Sequence, residues 1–272
     1  MHGLSSHPLF MHLLNAGINI IGFFIGGLII IKAQGKKINS VVEYKKPTKN
    51  IFPLIFIGLG LCMAGNIITS IFASYISEFF GFTPAGPDLT LPTDLVGIIT
   101  YFITTALVPA VFEEFLYRGA VYGSLKKFGK PLAIIISSIL FALMHGNLIQ
   151  IPFAFVVVLV LGFITAESDS IWPAMIVHFL NNFFACVLDY VGLYFGDNIE
   201  SAAFAAYMMI LLGLGALFSL LYVFKNKGIA FNYKKTGHLS SKGKLFSTIS
   251  LSPVIIVFYV LTVISIIEAQ LG

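Results

Sequence analysis

Residues 94–116 have the sequence DLVGIITYFITTALVPAVFEEFL. A helix of about 20 apolar residues crosses the hydrocarbon core of a bilayer, and this stretch is long enough to do so. Its only charged residues are Asp94 at the start and two adjacent glutamates, Glu113 and Glu114, near the end. We therefore predict a membrane-spanning helix that carries two carboxylates.

The rest of the chain has the composition of a membrane protein. Of its 272 residues, 58% are hydrophobic and 10% are charged, and the mean hydropathy is +0.95. Soluble domains are only about 45–50% apolar. We predict an all-α polytopic membrane protein with about eight transmembrane helices. It forms a single integral membrane domain over residues 1–272, with a motif-bearing core at about 94–194. Cys62 and Cys186 lie in apolar runs without paired spacing, so we expect both to be packing residues.

The candidate spans are apolar stretches of roughly the length that a transmembrane helix needs. They lie at 9–31, 51–75, 94–116, 131–147, 150–166, 171–194, 203–224 and 248–268. The fourth and fifth are short, and Pro109 lies inside the third. The sequence of this part of the chain is therefore compatible with a kinked helix or with a re-entrant arrangement.

The basic residues predict an orientation. All 16 Lys and Arg residues fall in three regions, at 32–49, 118–130 and 225–244. With eight helices these are alternate connections, so one side of the membrane receives every cationic residue. Because Lys and Arg favour the cytoplasmic side, we expect both termini to be extracytoplasmic. The same distribution accounts for the formal charge of +4, and we expect no nucleic-acid partner.

Ionisable side chains inside a membrane are costly and mark functional sites. Glu113 and Glu114 are neighbours on a predicted helix, so their side chains diverge by about 100° and we predict that they do not aim at one point. Glu114 and Arg118 are four residues apart, the spacing at which a carboxylate and a guanidinium meet. A structural ion pair is the favoured interpretation for those two residues. Glu113 is left as a candidate general base.

Three further polar residues lie in apolar surroundings. His145 alone could be a packed core histidine, and His178 and Asn182, four residues apart, could join helices by hydrogen bonds. At about 1.5 Å per residue, however, Glu113, His145 and His178 lie roughly 13–22 Å from the cytoplasmic ends of their helices. A carboxylate, two imidazoles and an amide at that depth could activate water and stabilise an oxyanion, as amide hydrolysis requires. Phe141, one turn before His145, is expected to shape this site by packing.

Three short motifs carry a resemblance to a known family. EEFLYR at 113–118 matches EExxxR, FALMH at 141–145 matches FxxxH, and HFLNN at 178–182 matches HxxxN. In this order the motifs resemble those of the CPBP intramembrane proteases. That family includes the type II CAAX prenyl endopeptidase and bacterial proteins linked to bacteriocin self-immunity and abortive infection. No motif position departs from the pattern.

The resemblance implies an intramembrane endopeptidase in a bacterial cell membrane. Its partners would be membrane lipids and a hydrophobic or lipid-modified, signal-like peptide substrate. By resemblance, Glu113 and His145 activate the attacking water, and His178 and Asn182 contact the oxyanion. The second glutamate and the arginine of EExxxR match positions that support the site.

The resemblance leaves the use of a metal open. Members of the family are often labelled metal-dependent, and one carboxylate with two imidazoles could make three ligands of an open zinc site. The ligands would then be Glu113, His145 and His178. A second account uses the glutamate and histidine without a metal, and the sequence contains no HExxH.

Two other classes of function remain as alternatives. A non-catalytic immunity or scaffold protein would bind a peptide or a partner without cleaving it. A proton-coupled transporter would relay protons through the buried carboxylate and histidines. Transporters often show internal repeats, and we detect none in this sequence.

Overall fold

The computed structural model describes residues 8–80, 91–146 and 150–225, and these residues form helices and no β-strand. The predicted all-α class is therefore confirmed. The helices of the described chain, numbered in order, are α1 (Pro8–Lys32), α2 (Ile38–Val41), α3 (Ile51–Phe80), α4 (Leu95–Phe128), α5 (Lys130–Met144), α6 (Gln150–Ser168), α7 (Trp172–Phe195) and α8 (Asp197–Lys225).

Six helices in the described ranges are long and apolar enough to cross a membrane, namely α1, α3, α4, α6, α7 and α8. Helix α5 is apolar but has 15 residues, so it is only about 22 Å long, against a hydrocarbon core of about 30 Å. Seven of the predicted spans thus correspond to observed helices. The eighth, at 248–268, lies outside the described residues. The multi-pass prediction is confirmed, with eight as an approximate count.

Helix α4 continues well past its predicted end at 116. It runs to Phe128, and Gly129, with a φ of 123°, separates it from α5. The prediction that Arg118 belongs to a basic connection is therefore wrong, because Arg118 is a helical residue with 2% of its surface exposed. An adjacent carboxylate on the same helix face compensates its charge, which makes the burial tolerable.

Two π-helical segments interrupt α4, at Ile103–Leu107 and Phe115–Tyr122. Pro109 follows the first of them and cannot donate a backbone hydrogen bond, so the irregularity at this proline takes the form of a widened turn. The turn of α-helix between the two segments, Val108–Glu114, ends with both glutamates. Such π-helical turns are frequent at functional sites.

The connection between α1 and α3, residues 33–50, covers one end of the helix bundle. Val41 and Val42 in this segment are 2% and 3% exposed and pack in one cluster with Phe115 of α4 and Ile171 before α7. A Cβ atom at Gly123 would collide with the carbonyl oxygen of Val41. Glycine at this position is therefore what allows the connection to lie directly on α4.

Backbone hydrogen bonds tie the same segment to the turn between α6 and α7. Thr48 donates to the Ser168 carbonyl from its N–H at 2.9 Å and from its hydroxyl at 3.0 Å. The N–H of Ile171 donates to the Glu43 carbonyl at 3.1 Å. Because these bonds join segments far apart in sequence, they fix the 33–50 segment across the end of the bundle.

Helix α6 is the most enclosed span, and Val158, Leu161 and Ile164 on it are at most 1% exposed. Its neighbours α3, α5 and α7 contribute to the same core cluster. Cys62 and Cys186 are both unpaired and 0% exposed. The prediction that the two cysteines serve packing agrees with this burial.

Candidate active site

A cavity of about 210 Å³ lies among α4, α5, α6 and α7. Five of the predicted site residues line it: Glu113, Phe141, His145, His178 and Asn182. Helices α4, α5 and α7 therefore each place at least one predicted site residue at or near the same cavity. The convergence on which the predicted chemistry depends is present in the structure.

Both glutamates of α4 face His178. Oε1 of Glu114 lies 2.9 Å from Nδ1 of His178, and Oε2 of Glu113 lies 3.9 Å from Nε2 of the same ring. The two neighbours thus reach one ring, at two different nitrogens and not at one point. An imidazole presents nitrogens on two different edges, so side chains that diverge by about 100° around a helix can reach it from two directions.

Glu114 also makes the predicted ion pair with Arg118. Its Oε2 lies 3.2 Å from Nε of Arg118, with both side chains fully buried, although the angle is not that of a hydrogen bond. Nη2 of Arg118 donates to the Val158 carbonyl on α6 at 2.9 Å, and its guanidinium lies 5.0 Å from the centre of the Phe141 ring. Arg118 therefore links α4 to both α5 and α6.

These contacts fix the orientation of His178. A carboxylate paired with a guanidinium only accepts hydrogen bonds, so Nδ1 of His178 must donate to Glu114. Nε2 then faces Glu113 and the cavity. The spacing in the sequence indicates the pair of Glu114 with Arg118, whereas it gives no signal for the contact of Glu114 with His178.

His145 lies at the exposed edge of the cavity, one residue beyond the end of α5. Its Nδ1 is 3.3 Å from the Phe141 carbonyl, and among the described contacts no hydrogen bond or ion pair joins it to Glu113. The Phe141 ring lies 5.3 Å from the ring of His145 and 6.1 Å from that of His178. Phe141 thus packs between the two imidazoles.

The amide of Asn182 is held from two sides. Its Nδ2 donates to the Thr105 carbonyl at 3.3 Å, and its Oδ1 accepts from Nδ2 of Asn181 at 3.4 Å. Pro109 stands four residues after Thr105 and has no N–H for this carbonyl. The sequence did not indicate that Thr105 and Asn181 hold the Asn182 amide. Pro109 is the one signal in the sequence, because a proline leaves the carbonyl four residues earlier without its usual N–H donor.

The arrangement does not fit a zinc site with three protein ligands. Within the described residues, no three His, Cys, Asp or Glu side chains are grouped so as to hold a metal ion. Glu113 and Nε2 of His178 are 3.9 Å apart, but His145 is not grouped with them, so the three predicted ligands do not form one metal-binding group.

Comparison with known proteins identifies a family that is similar to this part of the chain. Residues 95–184 match the model of the family described as type II CAAX prenyl endopeptidase Rce1-like. This range contains all three sequence motifs and all of the residues that line the cavity. No solved structure shows a significant match to the chain.

Two curated relatives align with more of the chain. The membrane-embedded CAAX protease MroQ of Staphylococcus aureus (strain USA300) is 24% identical over 180 residues, which cover 62% of this chain and 72% of the relative. The UPF0177 protein YvdC of Lactococcus lactis subsp. lactis (strain IL1403) is 31% identical over 172 residues. That alignment covers 62% of this chain and 65% of the relative, slightly less than two thirds of its length.

The family match supports an intramembrane protease, and the apolar helices support an integral multi-pass membrane protein. Three motifs, a shared cavity and a family model all concern the same stretch of chain. Residues 95–184 therefore match the Rce1-like family of type II CAAX prenyl endopeptidases, and this match confirms the resemblance that the three motifs predict.

Proposed function

We propose that this protein is an intramembrane endopeptidase that hydrolyses a peptide bond in a hydrophobic or lipid-modified, signal-like peptide. The observation that carries the proposal is the position of His178 between two carboxylates, with Glu113 on its cavity side and Glu114 behind it. This arrangement supplies a base next to an oriented donor, which are the two parts that hydrolysis of an amide needs.

Glu113 is the proposed general base. As the water oxygen attacks the carbonyl carbon of the substrate, one water proton moves to the Glu113 carboxylate. His145 assists from the edge of the cavity: its Nδ1 donates to the Phe141 carbonyl, so Nε2 of the neutral ring is free to accept a hydrogen bond from the same water.

His178 and Asn182 are the proposed contacts of the oxyanion. In the proposed reaction His178 acts as an imidazolium, with Nδ1 donating to Glu114 and Nε2 directed toward Glu113 and the cavity. Nε2 of that imidazolium and the second N–H of the Asn182 amide then donate to the carbonyl oxygen as it becomes negative. One such donor contributes about 10²–10³ in rate. When the C–N bond breaks, the proton on Glu113 passes to the leaving amine.

The proposal includes a biological setting. We place the protein in a bacterial cell membrane with both termini extracytoplasmic, as one integral domain whose catalytic core is at about 94–194. Its role would be peptide processing or bacteriocin self-immunity. Its partners would be membrane lipids and the peptide that it cleaves.

The test uses the purified protein in lipid vesicles. The probe is an internally quenched peptide library with Ala, Val, Leu and Phe at its central positions, offered with and without an attached lipid chain. Glu113→Gln should lower cleavage by about 10²–10⁴, the range for a positioned general base. The matched control is Glu78→Gln, which changes an exposed glutamate on α3 and should leave cleavage intact. Full activity of Glu113→Gln would contradict the proposal.

A further inference from the structure

The two ends of the helix bundle differ in charge. The lysine-rich end comprises the 33–50 segment, the α4–α5 and α6–α7 junctions and the end of α8. Every lysine of the described residues lies there: Lys32, Lys36, Lys37, Lys45, Lys46, Lys49, Lys126, Lys127, Lys130 and Lys225. The opposite end carries Asp94, Asp197 and Glu200. Because connections rich in Lys and Arg face the cytoplasm, the opposite end is the extracytoplasmic one.

In the part of the chain that the structure describes, the 33–50 segment lies across the lysine-rich end. The 33–50 segment lies on α4 through Val41 and Val42 and is bonded to the α6–α7 turn. Nζ of Lys130 donates to Asp169 at 2.7 Å, which joins the start of α5 to the same turn. None of the residues that line the site cavity belongs to the 33–50 segment.

The cavity is exposed at the other end. Two of its lining residues, His145 and Gln150, flank the α5–α6 connection and are exposed. Deeper in the cavity, Glu113 is 9%, His178 is 6% and Phe141 is 3% exposed. The lining along α6 runs from Gln150 to Leu161, a depth of about 16 Å at 1.5 Å per residue. Exposure thus falls from the lysine-free end toward the middle of the bundle.

The two walls of the cavity differ in chemistry. Helix α6 contributes apolar side chains, which include Phe153, Val157 and Leu161. Helix α7 contributes polar groups from His178 and Asn182. A peptide backbone that leaves water must find partners for its N–H and C=O groups, and the α7 wall offers such groups beside the reacting site. An apolar side chain of the same peptide is stabilised by burial against α6.

We propose that the site takes an extended peptide segment from the extracytoplasmic side, through the opening at His145 and Gln150, with an apolar side chain next to the reacting bond seated against Phe153 and Val157. The identity of the ligand rests on the proposed protease function. The side of entry rests only on the cavity and on the distribution of lysines.

The side of entry is tested by labelling intact cells with a membrane-impermeant maleimide. Gln150→Cys places a thiol at the opening, and Asn39→Cys places one on the exposed surface of the 33–50 segment. Cys62 and Cys186 are 0% exposed, so the unaltered chain gives the background. Gln150→Cys should be labelled in intact cells, and Asn39→Cys only after permeabilisation. The reverse pattern would overturn entry from outside, whether or not the protein is a protease.

The opening is tested on the purified protein in detergent, where both ends are accessible. A bulky polyethylene glycol maleimide on Gln150→Cys should abolish cleavage of the peptide library, and the same label on Asn39→Cys should leave cleavage unchanged. If cleavage were blocked only by the label on Asn39→Cys, the opening would lie at the lysine-rich end and the proposal would be overturned.

The apolar wall is tested with Val157→Phe, which narrows the cavity beside α6. The readout is the ratio of cleavage rates for library members with central Ala over those with central Leu, measured on one preparation so that the yield of folded protein cancels. The ratio should rise severalfold over that of the unaltered protein. An unchanged ratio would show that the substrate side chain does not contact this wall.

Discussion

The carboxylate of Glu114 lies 2.9 Å from Nδ1 of His178, while its other oxygen is paired with Arg118. One buried carboxylate therefore joins a structural cation to the imidazole that faces the cavity. In this position Glu114 orients His178, and we expect it to act on the proposed reaction through that residue.

The first prediction separates these two roles of Glu114. Glu114→Gln leaves the Arg118 guanidinium buried without its counter-charge and should destabilise the protein by about 3–5 kcal/mol. In the double variant Glu114→Gln, Arg118→Met no buried charge is left unpaired, so thermal unfolding in detergent should return toward the original midpoint. Cleavage should stay low in both variants, because Nδ1 of His178 has lost the Glu114 carboxylate that orients the ring. Recovery of activity together with stability would mean that Glu114 serves Arg118 alone.

The second prediction concerns Asn182. Asn182→Ala removes a proposed oxyanion donor and should lower kcat by about 10²–10³ with little change in KM. The neighbouring Asn181→Ala removes the donor to Oδ1 of Asn182, not the proposed oxyanion donor, and should cost less. Steady-state cleavage of one library peptide by both variants makes the comparison. A larger loss in Asn181→Ala would contradict the assignment.

The third prediction concerns the backbone that holds Asn182. Pro109→Ala supplies an N–H four residues after Thr105, which can compete with Asn182 for the Thr105 carbonyl. The kcat should fall by less than in Asn182→Ala, and the pair Pro109→Ala, Asn182→Ala should be no slower than Asn182→Ala. Additive losses in the double variant would show that Pro109 acts independently of the amide.

The fourth prediction concerns the contact between α4 and the 33–50 segment. Gly123→Ala places a Cβ against the backbone carbonyl of Val41, which cannot move away like a flexible side chain. It should destabilise the protein by about 1–3 kcal/mol, seen as a lower midpoint of thermal unfolding. Gly213→Ala on α8 is the control, since a Cβ there meets no atom within 4 Å. Equal midpoints for the two variants would contradict the packing.

The fifth prediction separates catalysis from binding in cells. If the protein confers protection against a bacteriocin by proteolysis, Glu113→Ala should abolish protection while the protein remains in the membrane at normal levels. Immunoblots of membrane fractions and survival curves measure the two quantities. Protection that persists in Glu113→Ala would favour the non-catalytic immunity or scaffold alternative.

Several features of the protein follow from local sequence. The apolar runs predict the helices, because a membrane span must be apolar and of a fixed length. The spacing of Glu114 and Arg118 predicts their ion pair, because residues four apart share a helix face. The three motifs predict the family. Each of these inferences depends on one helix at a time.

Relations between helices depend on the tertiary structure. The contacts of both glutamates with His178, the bond from Asn182 to the Thr105 carbonyl and the end at which the cavity is exposed all depend on how α4, α5, α6 and α7 are rotated and shifted against one another. Two π-helical turns in α4 change the rotation of that helix, and no simple spacing of residues in the sequence predicts these turns. Helical periodicity fixes which residues share a face, but only packing decides what that face meets.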